Sequence, residues 1–449
     1  MISMTLTKLQ LALQSLPEDA KEPVVSTLFA SQLLNSIGFE PGEIYPEYPT
    51  GNGNEAVDKA ARKTMGDDLF IYTKSNPYLL VELKGKDINL SSGSAQYQSA
   101  VKQLKRYLLS PNCQTAQWGI ITNSCHIQLF RKHNKIVHPA TPCLPIDVDN
   151  IDGVIAEIRK KVEKPKKALT IAVYNNKGGV GKTTTTVNLA AILTFLGKKV
   201  LAIDFDPNQQ DLTSALGLAP SEGAVIKALT DKTIELRSVV SPYSFTFKKI
   251  SKEIIFDVIP ADQELSIAPE NQLRNLLKRH TLYRNLELCR QEYDYILIDA
   301  PPNWRVFSQL AVYAADVVLI PTKHNNLFSI ENAATAIKQF IPEVQAEKRD
   351  GSPIALPIFF NGEKITPSQL EVVQNEIHKI IKTARREAQI DLLPYFFPRY
   401  TNARRDLHIH EVPSYANIAS AAFARIPAVY RDRSAHEYYK NLVKEYFLQ

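Results

Sequence analysis

One eight-residue stretch, Lys177-Gly178-Gly179-Val180-Gly181-Lys182-Thr183-Thr184, constrains this chain more than any other. It follows the apolar run LTIAVY and opens TTTTVNLAAILTFLG, which reads as a helix. Glycines at 178, 179 and 181 let backbone N–H groups turn toward one anion, and the start of the next helix adds the positive end of its dipole. In such a cradle Lys182 reaches the outer phosphates of a nucleotide, the Thr183 hydroxyl ligates Mg²⁺, and Thr184 continues the contact. The strict spacing GxxxxGK[ST] is not met, because Asn176 stands where the first glycine belongs.

Around this loop the pattern is strand, helix, strand. Further strand candidates are KVLAIDFD, YDYILIDAP, ADVVLIPT, PIALPIFFN and DLLPYFFP, with helical stretches between most of them. Continuous apolar strands with intervening helices predict an α/β fold, a doubly wound and mostly parallel sheet covered on both faces. Asp204 and Asp206 then close one strand and Asp299 another, at the ends where open α/β sheets bind ligands. An aspartate there is often only a cap or turn residue; the conjunction of the loop, DFDP and ILIDAPP in this order carries the reading.

The loop has the form xKGGxGK[ST], a deviant Walker A motif, and from about Leu169 onward the chain resembles the ParA/MinD branch of P-loop ATPases. The resemblance implies ATP and Mg²⁺ as ligands and a homodimer that sandwiches ATP. Lys177 is then the signature lysine that reaches the partner's nucleotide, acting with Lys182 and with Asp206, which positions the attacking water. Thr183, Asp204 and Asp299 make up the metal set, and Asn361 reads the adenine edge. The chain departs from the family's DPQGN with Asp206-Pro207-Asn208-Gln209-Gln210, and then rejoins it at LTSALG. Cys289 alone does not match the cluster-bridging cysteines of nitrogenase-iron-protein relatives.

The resemblance also implies nonspecific DNA as a partner of the ATP state. Arg399, Arg404, Arg405 and Arg425 are the candidate contacts, with Arg431 and Arg433 nearby and Tyr400 and Tyr430 interleaved. A solvated basic face reads equally well from the same residues. The tail HEYYKNLVKEYFLQ has an apolar stripe, yet Lys440, Lys444 and Glu445 build no concentrated basic face, so no membrane partner is expected. Four scattered cysteines without metal or disulfide spacing, and no signal-peptide pattern, predict a cytoplasmic protein, and the DNA partner implied by the resemblance makes it nucleoid-associated.

At 449 residues the chain exceeds the ~250 to 300 residues of one domain. The expected division is an α+β domain over 1–152, a basic linker over 153–168 and the ATPase domain over 169–449. In the first domain DLFIYTK and YLLVELK read as a hairpin about SNP, followed by a helix over SAQYQSAVKQLKRYLLS and a strand WGIITN. Asp68, Glu82 and Lys84 then follow the spacing of PD-(D/E)xK nucleases, two carboxylates for Mg²⁺ and a lysine on the same strand face. Gln103 and Tyr107, one helical turn apart, and Glu22 in an earlier helix extend this into a resemblance to the N-terminal nuclease domain of type I restriction subunits, over roughly 15 to 135. Retained cleavage and a domain kept only for binding both remain open.

Together these readings predict an ATP-dependent partition or positioning ATPase that distributes plasmid DNA or a protein cargo such as a carboxysome. A small adaptor protein on the cargo would trigger release. The alternative is a DNA nuclease in restriction or defence, gated by the ATPase.

Overall fold

The computed structural model describes residues 6–165, 167–247, 252–398, 407–413 and 416–448. The chain divides after Pro165 into two compact units.

The first unit is built on one sheet of seven strands: β1 (Ile44–Pro49), β2 (Ala56–Ala61), β3 (Leu79–Leu83), β4 (Trp118–Thr122), β5 (His126–His133), β6 (Ile136–Pro139) and β7 (Leu144–Pro145). They run in the order β1-β2-β3-β4-β5-β6, with β7 beside β5. Only β3 and β4 pair in parallel, and every residue of both is buried, as their apolar sequences LLVEL and WGIIT require. Helices Ala30–Ile37 and Ile151–Glu163 cover one face of the sheet, and helix Ala95–Leu108 covers the other. Residues Ile155, Ile158 and Val162 are buried in that first core, so much of the stretch expected as a linker over 153–168 is an amphipathic helix of this unit.

The hairpin expected over 68–84 is corrected. Residues Phe70–Thr73 form a single helical turn, closed by Lys74 at φ 53°, and β3 pairs instead with β2. Phe70 is buried, whereas Leu69 is 39% and Tyr72 78% exposed, so the run has no apolar face to give a sheet. A short apolar run does not by itself separate a strand from a helical turn.

In the second unit β8 (Leu169–Val173), β9 (Val200–Asp204), β10 (Ser241–Phe247), β11 (Lys252–Ile259), β12 (Tyr295–Asp299), β13 (Val317–Leu319), β14 (Pro321–Thr322), β15 (Ile354–Ala355), β16 (Phe359–Gly362) and β17 (Glu411–Pro413) follow in chain order. The main sheet runs β10-β11-β9-β12-β8-β13-β15, parallel except for the edge strand β10. A smaller parallel sheet, β14-β16-β17, continues beyond it. Strands β8, β9 and β12 are buried throughout, and helix Lys182–Phe195 is buried on nearly every face. This is the expected doubly wound α/β domain. One strand candidate is corrected: DLLPYFFP forms the helical turn Leu393–Phe396, where Pro394 sits in the first turn and has no N–H to give a sheet ladder.

Candidate nucleotide site

The phosphate loop leaves the carboxyl end of β8 and turns into helix Lys182–Phe195 at Gly181, which caps the helix at φ +83°. A β-carbon at Gly181 would lie 2.2 Å from Asn361 Nδ2, so both backbone and space exclude any side chain there. At Gly178 and Gly179 a β-carbon would meet nothing within 4 Å; Gly179 is held at φ +72° and the surface over both is open. An open, exposed run of backbone before a helix start is the shape a phosphate group needs.

Lys182 is 7% exposed, and its Nζ donates to the Lys177 carbonyl at 3.2 Å. Burial holds this ammonium below the usual lysine range, against the pull of Asp299, Asp206 and Asp211. Thr183 Oγ1 donates to Asp299 Oδ2 at 2.6 Å. Asp204 and Asp299 are direct register partners across β9 and β12. Two carboxylates thus end up side by side, both almost fully buried.

Asp204 accepts from the Thr213 amide (2.8 Å) and hydroxyl (2.7 Å). Burial still pushes its carboxyl up to about 6. Burial and the neighbouring Asp204 drive Asp299 well above the carboxylate range, despite its bond from Thr183. Asp206 is also raised by burial, although the Gln209 amide donates to it at 3.3 Å.

Crowded buried carboxylates beside a hydroxyl and a lysine fit a divalent cation bound with a polyphosphate. Among the described residues no three His, Cys, Asp or Glu side chains converge into a cage. A cleft of about 390 Å³ opens beside Thr183 and Thr184 and is lined by Asn188, Asp211 and apolar side chains, Ile418, Phe423 and Ile426 among them.

Asn361, expected at the adenine edge, has its donor engaged on the phosphate loop. Nδ2 donates to the carbonyls of Val180 (3.1 Å) and Gly181 (3.2 Å) and to Thr185 Oγ1 (3.2 Å). In this structure Asn361 braces the loop and does not offer that donor to a base. Thr213 and Asp211 were not among the expected site residues, because a threonine and an aspartate opening a short helix carry no ligand signature of their own.

Of the basic residues expected at DNA, Arg399, Arg404 and Arg405 lie outside the described residues. Arg425 is exposed, at φ +58°. Tyr430 is buried and donates to the Ala191 carbonyl at 3.0 Å, so it presents no stacking face. The tail stripe is turned inward: Tyr439, Leu442, Val443 and Tyr446 are buried. No described helix is long and apolar enough to cross a membrane.

In the first unit Lys84 Nζ lies 2.6 Å from Glu82 Oε1 and 3.3 Å from Glu22 Oε2. The acid expected to join them does not: Asp68 pairs with Arg62 at 2.8 Å, on the turn that replaced the hairpin. Asp58 of β2 lies close to Glu82 and accepts from the Leu83 amide at 2.6 Å. Burial, together with the charges of Asp58 and Glu22, pushes Glu82 up to about 7 despite Lys84. Gln103 Nε2 donates to the Tyr107 hydroxyl at 2.9 Å.

The second unit is thus a P-loop nucleotide-binding domain of the deviant Walker A class. Residues 168–351 match a family model described as AAA domain, and residues 21–140 match one described as type I restriction enzyme R protein N terminus. The sporulation initiation inhibitor protein Soj of Bacillus subtilis is 39% identical over 153 residues, 34% of this chain and 57% of that protein. The chromosome-partitioning ATPase Soj of Treponema pallidum is 34% identical over 179 residues, 39% of this chain and 65% of that protein. The chain therefore spans less than two thirds of these relatives. Cyanothece McdA in its ATP complex aligns at TM-score 0.47 and 19% identity, over 63% of this chain and 98% of that one. In sequence the second unit is thus similar to chromosome-partitioning ATPases, and the first to the N terminus of type I restriction R proteins.

Proposed function

We propose that this chain is a partition or positioning ATPase. It binds ATP with Mg²⁺, closes into a sandwich of two copies, holds DNA without sequence preference in that state, and distributes a plasmid or a protein cargo such as a carboxysome. The observation that carries the reading is the 2.6 Å bond from Thr183 to Asp299, which fastens the loop to the acidic strand ends. The name of the Treponema relative, a chromosome-partitioning ATPase, supports the assignment to partition.

Loop amides and Lys182 hold the phosphates, and Thr183 with Asp299 and Asp204 is the set that would hold Mg²⁺. When bound, the cation neutralises phosphate charge and orients the outer phosphoryl group. Asp206 orients the attacking water. Lys177 of the second copy adds a cation where charge develops, so turnover depends on assembly. A small adaptor on the cargo then triggers release. The test is light scattering and phosphate release on the full chain. ATP should bring the molecule to a dimer with turnover, and Lys182→Ala should abolish both; a monomer at saturating ATP sinks the reading.

A second reading is favoured by one observation, the grouping of Glu82, Lys84 and Glu22 with Asp58 on the neighbouring strand. It is that the first unit cuts DNA with Mg²⁺ under control of the ATPase. Loss of metal-dependent cleavage in Glu82→Gln, with ATP turnover intact, supports it, and an uncut substrate with the parent chain removes it.

A further inference from the structure

Tyr174, Asn175 and Asn176 join β8 to the phosphate loop, and the two asparagine side chains reach across to helix Leu327–Thr335 and the strand before it. Asn175, fully buried, donates through Nδ2 to the carbonyls of Pro321 (2.9 Å) and Ser329 (3.1 Å). Its Oδ1 is buried with no hydrogen-bond partner. A position needing only packing gains nothing from half an amide left unsatisfied.

Asn176 continues the connection. Its Nδ2 donates to Asn332 Oδ1 at 3.2 Å, and its Oδ1 accepts from the Tyr174 hydroxyl at 3.1 Å. Ser329 and Asn332 are three residues apart and so share one face of their helix. That end of the helix is itself held, since Asn326 caps the Ser329 amide at 3.1 Å and Ser329 Oγ donates to the Lys323 carbonyl at 3.0 Å. The Tyr174 ring packs on Trp304, 5.7 Å between centroids, and Trp304 stacks on Phe340 at 4.5 Å. Phe340 closes a π-helical turn, Ala336–Phe340, that continues the same helix. Such turns are frequent at functional sites.

We infer that Asn175 and Asn176 are positioning residues for Lys177, fastening the base of the phosphate loop to helix Leu327–Thr335. The inference rests on the ATPase reading above. Neither amide needs to touch the nucleotide. The Lys177 carbonyl also receives Lys182 Nζ, a contact made within the loop and not by the two asparagines. Phosphate binding by the remaining loop amides is little changed, whereas the placement of Lys177 matters only for the reacting geometry.

The test cuts the clasp from its far side, at a residue outside the loop. Asn332→Ala should lower kcat by roughly tenfold, because small misplacements of reacting groups are expensive in rate. Equilibrium affinity for ATP should stay within about twofold, the signature of a contact that acts on turnover alone. Asn176→Ala also loses the bond from the Tyr174 hydroxyl and should lower kcat at least as far, and the double variant should be no worse than it, since both changes remove the same Asn176–Asn332 bond. Asn332→Asp keeps an acceptor for Asn176 and should recover most of the rate. A normal kcat in Asn332→Ala, an affinity that falls in step with kcat, or additive effects in the double variant each overturn the inference. A parent chain that does not turn over ATP overturns the ATPase reading and this inference with it; a working parent with unaffected variants overturns only the inference.

Discussion

Asp204 and Asp299 face one another across β9 and β12, and each has a threonine hydroxyl as its donor: Thr213 at 2.7 Å for Asp204 and Thr183 at 2.6 Å for Asp299. Two buried acids on adjacent strand ends repel each other. Each is kept in place by a neutral donor rather than by a paired cation, an arrangement that favours arrival of a positive charge.

Asp299→Asn removes one of the crowded carboxylates while leaving an oxygen for Thr183. The nucleotide-free variant should therefore be more stable than the parent by about 1 kcal/mol, in line with relief of a buried charge. ATP turnover should be lost, together with the rise in melting temperature that Mg²⁺ and ATP give the parent. Calorimetry with and without the ligands reads both. A variant that melts below the parent without ligand contradicts the electrostatic account.

Gly181→Ala should destabilise the second unit and abolish nucleotide binding. The left-handed backbone at φ +83° alone costs about 1 to 2 kcal/mol for a residue with a β-carbon. The Asn361 amide must also leave its three acceptors on and beside the loop. Adding Asn361→Ala relieves the clash but removes the brace, so binding of a fluorescent ATP analogue should remain absent. Recovery of binding in the double variant would show that the clash alone mattered.

Asp58→Asn and Asp68→Asn separate the two candidate acids of the first unit. If the unit cuts DNA, the first change should abolish metal-dependent cleavage, because Asp58 adjoins Glu82 and Lys84. The second change breaks only the Arg62 pair and should leave cleavage within about twofold, as expected of a partly exposed ion pair. Equal loss in both variants would return Asp68 to the site.

Lys132 gives the first unit a pH dependence. Its ammonium is buried, donates to the carbonyls of Cys113 (3.1 Å) and Gln114 (2.8 Å), and is driven down to about 8 by burial. The unfolded chain, with an ordinary lysine near 10.5, holds more protons than the folded chain between those values. Stability should therefore rise with pH across that window and, on lowering the pH again, be lost down to about 8. Lys132→Met should flatten this slope in urea titrations; an unchanged slope assigns it to other groups.

Much of the second unit was legible in the sequence because its signals are local. A glycine loop between a buried strand and a helix, and aspartates ending apolar runs, specify their own conformation and chemistry within a few residues. Three things were not local. Asp58 lies on AVDKAA, too weakly apolar to announce a strand, and only the pairing of β2 with β3 brings it beside Glu82. DLFIYTK and DLLPYFFP look like strands by composition, yet one run buries a single large ring and the other carries a proline in its first turn, and both close as helical turns.

Asn361 shows the same limit from the other direction. The resemblance implied an amide reading the adenine edge, but where the amide points here was decided by the gap left at Gly181. Covalent order determined the phosphate loop, the acidic strand ends and the α/β class, since each follows from residues adjacent in the chain. Which acid joins Glu82, which amide braces the loop and which helix holds its base were decided by strand register and packing, because those partners lie 24 to 181 residues apart and meet only when the sheets form.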